Sequence, residues 1–348
     1  MPPARLVVVI DSGTTNSRVR LLGEGDVIGA ASVQVGVVDT TKTGSNAALK
    51  QGVRRAFDQA LRDGGVSVGE IPYALGFGMI TSELGVVEIP HLAAPVGIRE
   101  LAAGMLRFEP AEDFLPIPTY FVRGVKNPAP RDAGIGHLPH MDFMRGEEAQ
   151  VMGLLALYRP ALPATIVVLS SHTKFISVDA EGRIIGSVTT LSGQLFAALC
   201  KETFIGSAVR EVVTDPEPAA YFDAGIVEEA HRIVTSGGLT RSLLMPRFMH
   251  VLMQTRWYER KLFLESLIAA DDLQSVRDFT ALGFPTSTSV YLVGPPARCA
   301  VHRHLIERHR VFGGKVTDIS EAAAIDRLGP AGALEIFRHR PRRGEPTP

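Results

Sequence analysis

The 348-residue sequence has little cysteine, almost no excess charge and no long apolar run. Its two cysteines, Cys200 and Cys299, are too few for a disulfide framework, and they lack the Cys/His spacing of a zinc site. A reducing compartment fits. The 36 basic and 37 acidic side chains leave a net charge of -1, which offers no electrostatic footprint for nucleic acid or an anionic membrane. Small molecules are the expected partners. No apolar stretch approaches the roughly 20 residues of a membrane span, and Met1 to Ile10 has neither the charged start nor the cleavage site of a signal peptide. The expectation is a cytoplasmic protein, long enough for two domains.

The run Leu6 to Ile10 is β-branched and ends on Asp-Ser-Gly, which predicts a buried strand running into a polar turn. Strands are predicted again over Ser17 to Leu22 and Asp26 to Ser32. A helix should follow from Ser45, with Asn46 as its cap, Leu49, Val53, Phe57 and Leu61 on one face, and Gly64-Gly65 as its stop. Another strand is expected near Tyr73 to Phe77, an irregular loop over Lys126 to His140, and a helix from about Gly146 carrying Val151, Leu154, Leu155 and Tyr158. At Thr165 the opening pattern returns. VVVIDSGTTNSRVRLLGEGDVIGAAS and IVVLSSHTKFISVDAEGRIIGSVT share strand, polar turn, strand, acidic-glycine turn and strand, so two similar domains should face each other. Helical patterns follow over Gly193 to Phe204, Pro218 to Val234 and Leu243 to Leu273. A strand is then expected over Ser289 to Val293, a helix through Val301 to His309 and final helices within Ser320 to Arg338. The last residues, RPRRGEPTP, read as a disordered tail.

The chemistry concentrates at three places. In Asp11-Ser-Gly13-Thr14-Thr15-Asn16-Ser-Arg18, a tight turn between strands can aim backbone N-H groups and short polar side chains at one anion, while Asp11 suits a water-bridged Mg²⁺. An ordinary polar hairpin turn is the alternative. The repeat places Ser170-Ser171-His172-Thr173-Lys174 in the equivalent turn, where Lys174 would add a cation near transferring charge. Otherwise Lys174 is a surface charge and His172 a packed turn residue. Third, Met144-Arg145-Gly146-Glu147-Glu148 opens a helix, and one of the two carboxylates is placed to accept a proton from an attacking hydroxyl. Acidic side chains also favour helix N-termini through the dipole alone. Arg145 is either a carboxylate grip or a surface charge.

These residues resemble the sugar kinase, hexokinase, actin and heat-shock ATPase superfamily, and within it the 2-dehydro-3-deoxygalactonokinase family. MRGEEAQVMG at Met144 to Gly153 and the opening DSGTTNSRVRLL carry the resemblance most strongly, and GFGMITSELG, SSHTKFISV, LSGQLFAAL and FIGSAV follow in family order. It implies an α/β fold of two ribonuclease-H-like (actin-like ATPase) domains, each a mixed five-stranded sheet with flanking helices, with a cleft between them. The expected parts are an N-terminal phosphate- and sugar-acid-binding domain over 1–143, a C-terminal nucleotide-binding domain over 144–338, and the tail over 339–348. The implied activity is ATP-dependent phosphorylation, with Mg²⁺, of the terminal hydroxyl of a 2-keto-3-deoxy sugar acid. Asp11, Gly13, Thr14, Thr15, Asn16, Arg18, His172, Lys174 and Gly294 would serve the nucleotide, with Asp11 toward the metal. Met79, Ser82 and Gln194 would serve the sugar acid, and Glu147 or Glu148 with Arg145 the transfer step. A homodimer is left open.

The sequence departs from the family pattern at four places. Its second turn is Leu169-Ser170-Ser171-His172-Thr173-Lys174, without the family's glycine where backbone must approach phosphate closely. Ser192-Gly193-Gln194 replaces threonine-glycine-glutamate, and Gly294-Pro295-Pro296-Ala297 loses two N-H donors to proline. Gly78-Met79-Ile80-Thr81-Ser82 lacks the family's second glycine, and no tryptophan follows at Val86. Two further readings follow, a nucleotide- or sugar-acid-binding relative without transfer and an exopolyphosphatase-like phosphohydrolase suggested by Gly146-Glu-Glu-Ala149.

Overall fold

The computed structural model describes residues 6–341, so most of the tail expected over 339–348 lies outside the described residues. In chain order the first half contains β1 (Leu6–Ser12), β2 (Ser17–Gly23), β3 (Asp26–Val33), α1 (Val37–Thr43), α2 (Ala47–Gly64), β4 (Ala74–Gly78), β5 (Leu92–Ala93) and α3 (Ile98–Gly104). It continues with β6 (Leu106–Phe108), β7 (Thr119–Phe121), β8 (Val125–Lys126), β9 (Phe143–Met144) and α4 (Glu147–Tyr158). The second half opens with β10 (Ala164–Leu169), β11 (Thr173–Val178), β12 (Ile184–Thr190), α5 (Ser192–Glu202), α6 (Gly206–Val209), α7 (Ala224–Gly237), α8 (Leu239–Ser242) and α9 (Met245–Val251). It closes with α10 (Trp257–Asp272), α11 (Val276–Ala281), β13 (Ser289–Val293), α12 (Pro296–His309), β14 (Val316–Ile319) and α13 (Ala322–Arg338).

The first sheet runs β3-β2-β1-β4-β7-β6 and the second β12-β11-β10-β13-β14. In each, an antiparallel three-stranded meander is followed by strands parallel to its first member. This is the ribonuclease-H-like arrangement, present twice, and the repeat in the sequence is its signature. One correction is needed: the first sheet has six strands, because β6 pairs antiparallel with β7 at its edge. A small third sheet, β5-β8-β9, was not expected.

Burial on both faces explains why β1 reads as a continuous apolar run. Val8 and Ile10 pack into a core with Val53 and Phe57 of α2, while Val7 and Val9 face the opposite layer with Val151 and Leu154 of α4 and Ile336 of α13. Strand β10 divides in the same way. Its Ile166 and Val168 join that same α4/α13 core, and Val167 and Leu169 turn to the helices of the second half. Helices α4 and α13 therefore form a shared middle layer reached from both sheets. They touch through backbone, since a Cβ on Gly153 would lie 1.9 Å from the Leu328 carbonyl oxygen and one on Gly332 1.8 Å from that of Ala149.

Several boundaries differ from the sequence reading. Asn46 gives α2 no side-chain cap; its amide instead donates to the Gly85 carbonyl at 3.0 Å. Helix α7 begins at Ala224 because Asp223 accepts from the N-H groups of Gly225 and Ile226, so Pro218 to Phe222 stays outside it. The single helical pattern over Leu243 to Leu273 is two helices, interrupted where Gln254 takes a φ of +54°. No helix among the described residues is long and apolar enough to cross a membrane.

Candidate active site

In each sheet a polar turn follows the first strand, after Ser12 of β1 and after Leu169 of β10, beside the end of a parallel neighbour. At the end of β1, Ser12 and Ser17 hydroxyls share a 2.9 Å hydrogen bond that closes the hairpin, and the Gly13 N-H donates to the Asn16 carbonyl at 2.8 Å. The Gly13 and Thr14 carbonyls accept from Val37 and Val38 at the start of α1. With its carbonyls turned inward to α1, the turn leaves the Thr14 and Thr15 N-H groups without a protein acceptor among the described residues. Thr15 is exposed, and Asn16 donates to its hydroxyl at 3.0 Å. A small concave anion site fits this geometry.

Asp11 lies on the β1 face that meets α4 and α13. Its partner across the ladder is Arg18, whose Nη1 lies 3.7 Å from Oδ2. Two residues on, Arg20 shares that face and pairs with Asp326 of α13 at 3.3 Å. Burial raises the Asp11 carboxyl above the usual range against the pull of Arg18 and Arg20, and the charges of Asp326 and Glu147 add to the rise. Glu147, on the first turn of α4, thus lies within electrostatic reach of Asp11.

The two glutamates have different surroundings. Glu148 is buried, and both its oxygens accept from the Gly146 N-H, at 2.9 and 2.8 Å. Burial, reinforced by Glu147, pushes its carboxyl up to about 8. Glu147 is partly exposed, and its charge also acts on His172 of the second turn. The Gly146 backbone just before them has a φ of +111°, and a Cβ there would lie 3.4 Å from the Cα of Gly78. Gly78 in turn has a φ of +83° and abuts Ser12, its Cβ position only 2.5 Å from the Ser12 carbonyl oxygen. Glycine at these two positions lets β1, β4 and α4 converge.

Arg145 is held by the segment that follows β4. It donates to the Thr81 hydroxyl at 2.9 Å and the Ile89 carbonyl at 2.7 Å, and lies 3.4 Å from His91 Nδ1. Burial and the charges of Arg145 and Lys126 push His91 down to about 4, so it is neutral near pH 7 and can accept from the guanidinium. Met79 begins the short helical turn after β4 and is partly buried. Ser82 is buried, with its hydroxyl donating to the Met79 carbonyl at 2.8 Å.

On the second sheet, Lys174 is also engaged. Its ammonium donates to the Phe143 carbonyl at 2.8 Å and to the Thr189 hydroxyl, and it lies 3.8 Å from Asp142, with side chains only 5% and 11% exposed. Asp142 accepts from Ser187 and Thr189, and Asn127 closes the network on the Ser187 backbone. This ties the segment before α4 to β11 and β12. His172 stands in the turn with its Nδ1 3.1 Å from the Ser171 hydroxyl, and burial lowers its pKa. Gln194 meets the turn through backbone, its N-H donating to the Ser171 carbonyl at 2.8 Å. Gly294 lies against Leu169, where a Cβ would come within 2.6 Å of the Leu169 Cβ. Pro295 and Pro296 occupy the N-cap and first position of α12, where a missing N-H is tolerated.

Asp11, Gly78, the first turn and the start of α4 with Glu147 are therefore brought together, whereas Arg145 and Lys174 are held in side networks. Sequence reasoning missed Arg20, Asp326, Asp142 and Arg298. Arg20 was legible from its two-residue spacing to Arg18, whereas the others reach the region through tertiary packing that leaves no local signal.

A model of the 2-keto-3-deoxy-galactonokinase family matches residues 11–327. A protein of Rhizobium meliloti (strain 1021) with a provisional assignment as a 2-dehydro-3-deoxygalactonokinase is 24% identical over 254 residues, covering 72% of this chain and 74% of that protein. A crystal structure from Sinorhizobium meliloti, with the same provisional assignment, aligns at a TM-score of 0.68 and 21% identity over 95% of this chain and 98% of that one. The structural likeness, at that identity, concerns the fold.

Proposed function

The chain belongs to the 2-keto-3-deoxy-galactonokinase family and is a carbohydrate kinase, and from that premise we propose that it transfers the terminal phosphoryl group of ATP to the terminal hydroxyl of a 2-keto-3-deoxy sugar acid. The observation that supports this reading is the position of Glu147. It opens α4 directly after Gly146, whose Cβ position lies 3.4 Å from the Cα of Gly78, and the Cβ position of Gly78 in turn lies 3.6 Å from Asp11 Oδ1 at the end of β1. A partly exposed carboxylate beside the first phosphate turn is suited to accept the acceptor hydroxyl's proton as the oxygen attacks the γ-phosphorus and ADP departs. Glu148, fully buried and bound to Gly146, holds the start of α4 in place instead.

In this reading the part over 1–143 supplies the first phosphate turn and much of the sugar-acid side. The part over 144–338 supplies the second turn and the nucleotide side. Mg²⁺ would be held at Asp11, where Glu147 and Asp326 are the further carboxylates and Arg18 and Arg20 the countercharges. No group of three or more candidate ligands is assembled among the described residues. That suits magnesium, which takes one or two carboxylates with water and phosphate oxygens. When bound there, the ion would neutralise phosphate charge. Arg18, 48% exposed, adds a cation at the same edge. Lys174, with its ammonium taken up by Asp142 and β12, braces the segment leading into α4.

The test is ADP formation from Mg-ATP across a panel of 2-keto-3-deoxy sugar acids. Turnover with at least one acid and none without an acceptor is the expected result. Phosphate release from polyphosphate with no sugar acid would move the assignment to a hydrolase. Mg-ATP binding without turnover on any acid would leave a binding protein.

A further inference from the structure

The second turn lacks the family's glycine, and a side chain from elsewhere in the chain sets its backbone. The turn consists of Ser170, Ser171 and His172, because the β10–β11 ladder closes on the pair Leu169 and Thr173. Arg298, in the first turn of α12, reaches it with both terminal nitrogens. Nη1 donates to the Ser170 carbonyl at 2.6 Å and Nη2 to the Thr173 hydroxyl at 3.0 Å. Behind the guanidinium, Nε lies 3.9 Å from Glu265 of α10, both side chains 15% exposed. A planar fork held on both terminal nitrogens, with a carboxylate behind it, fixes direction as well as distance.

The consequence follows from peptide geometry. A trans peptide is planar, and its C=O and N-H point in opposite directions. Neither peptide within the turn is cis. Holding the Ser170 carbonyl toward α12 therefore turns the Ser171 N-H away from it. The Gln194 N-H does the same to the next plane, since by taking the Ser171 carbonyl at 2.8 Å it turns the His172 N-H outward. Neither of these N-H groups has a protein acceptor among the described residues. Two successive free amides are the donor set that a backbone anion site needs. His172, the second of the two, is the residue on which the charge of Glu147 acts.

The scaffold behind Arg298 is built to keep it there. His302, one helical turn on and buried, has Nδ1 2.9 Å from the Arg298 carbonyl and Nε2 3.5 Å from Asp272. Asp272 also accepts from the hydroxyls of Thr190 and Ser192 at the start of α5. Burial raises its carboxyl, but the His302 contact and the two hydroxyls outweigh that and hold it below its ordinary value. Asp272 thus ties α10 to the start of α5, and His302 of α12 stands beside it, its Nε2 without a hydrogen-bond partner among the described residues. The Ser170 carbonyl is held by Arg298 and the Ser171 carbonyl by the first turn of α5.

We propose that Arg298 is a positioning residue for nucleotide phosphates, which aims the Ser171 N-H by holding the Ser170 carbonyl. The proposal rests on the reading of this chain as ATP-dependent. It is tested on the full chain with Arg298→Ala and Arg298→Lys, by calorimetric titration with Mg-ATP and with adenosine, and by kinetics resolving kcat and the two KM values. Loss of the fork should weaken Mg-ATP about tenfold in Arg298→Ala and less in Arg298→Lys, because a charge-assisted contact to the turn is removed or reduced. Adenosine affinity and the KM for the sugar acid should stay within about twofold, since no phosphate is involved. Millimolar guanidinium should partly restore Mg-ATP binding to Arg298→Ala. Unchanged Mg-ATP affinity in Arg298→Ala overturns the proposal, and so does an equal loss for adenosine and Mg-ATP, which would make Arg298 a general fold contact. Should Arg298→Ala not fold, Arg298→Lys alone decides by the same ratio. Failure of the unsubstituted chain to bind Mg-ATP at all would refute the nucleotide reading first and this inference with it.

Discussion

Exchanging each of the two adjacent glutamates for glutamine separates a group that takes a proton from one that holds a helix in place. Glu147→Gln keeps the side-chain shape but cannot accept the hydroxyl proton. General-base contributions of about 10² to 10⁴ in rate correspond to about 2.7–5.5 kcal/mol of barrier. A fall in kcat of that size, with both KM values nearly unchanged, is expected. Glu148→Gln is a much milder change. With its carboxyl pushed up to about 8, Glu148 is roughly nine-tenths protonated at pH 7, and an amide oxygen can still accept from Gly146. Its kcat should stay within about fivefold of the unsubstituted enzyme. The assay is initial-rate ADP release at saturating Mg-ATP and sugar acid, alongside urea unfolding to confirm that both variants are folded. A larger kcat loss in Glu148→Gln than in Glu147→Gln would refute the assignment and make the buried carboxyl the base.

The same buried carboxyl predicts a pH dependence of stability. Its folded-state pKa is raised from 4.5 to about 8, so the folded state binds the proton more tightly and stability falls as pH rises across that window. The slope of this one group approaches roughly 1.4 kcal/mol per pH unit, and the difference in urea stability between the unsubstituted chain and Glu148→Gln should show it; a flat difference from pH 5 to 8 contradicts the burial. Asp142→Ala would leave Lys174 buried without its carboxylate and should cost about 3 kcal/mol, partly recovered by adding Lys174→Met. A loss under about 0.5 kcal/mol in urea unfolding would mean that the pair braces nothing. Gly78→Ala places a Cβ 2.5 Å from the Ser12 carbonyl oxygen at a φ of +83°, so the strand ends must separate. A loss of about 2 kcal/mol or more and reduced kcat are expected, and an unaltered melting temperature would show that the convergence is looser than described.

The doubled sheet was legible because its central strands are largely buried on both faces and so read as near-continuous apolar runs, as Leu6 to Ile10 and Val290 to Val293 do. What escaped was short or mixed. Strand β14, Val-Thr-Asp-Ile, has two apolar residues, and β6 is exposed throughout. Hydrophobic period gives nothing to read there. The turns were recognised by composition, but their orientation was not, since it depends on Val38 for one and on Arg298 and Gln194 for the other. The roles of Glu147 and Glu148 were inseparable in sequence. One helix register step puts the first toward the turns and buries the second, and only packing against α13 decides which is which. Lys174 matched its motif, yet Asp142, far away in sequence, takes up its charge.

The middle layer has a consequence for how the protein is made. Synthesis delivers α4 roughly 160 residues before α13, an interval of about 8 to 30 s at ordinary translation rates. Until α13 emerges, the apolar faces of both sheets that look onto this layer are uncovered, and so are the backbone seats at Gly153 and Gly332 where the helices touch. Neither half can complete its folding on the ribosome ahead of the other. The nascent chain carries an unfinished interior until α13 is made, and that helix closes both sheets at once.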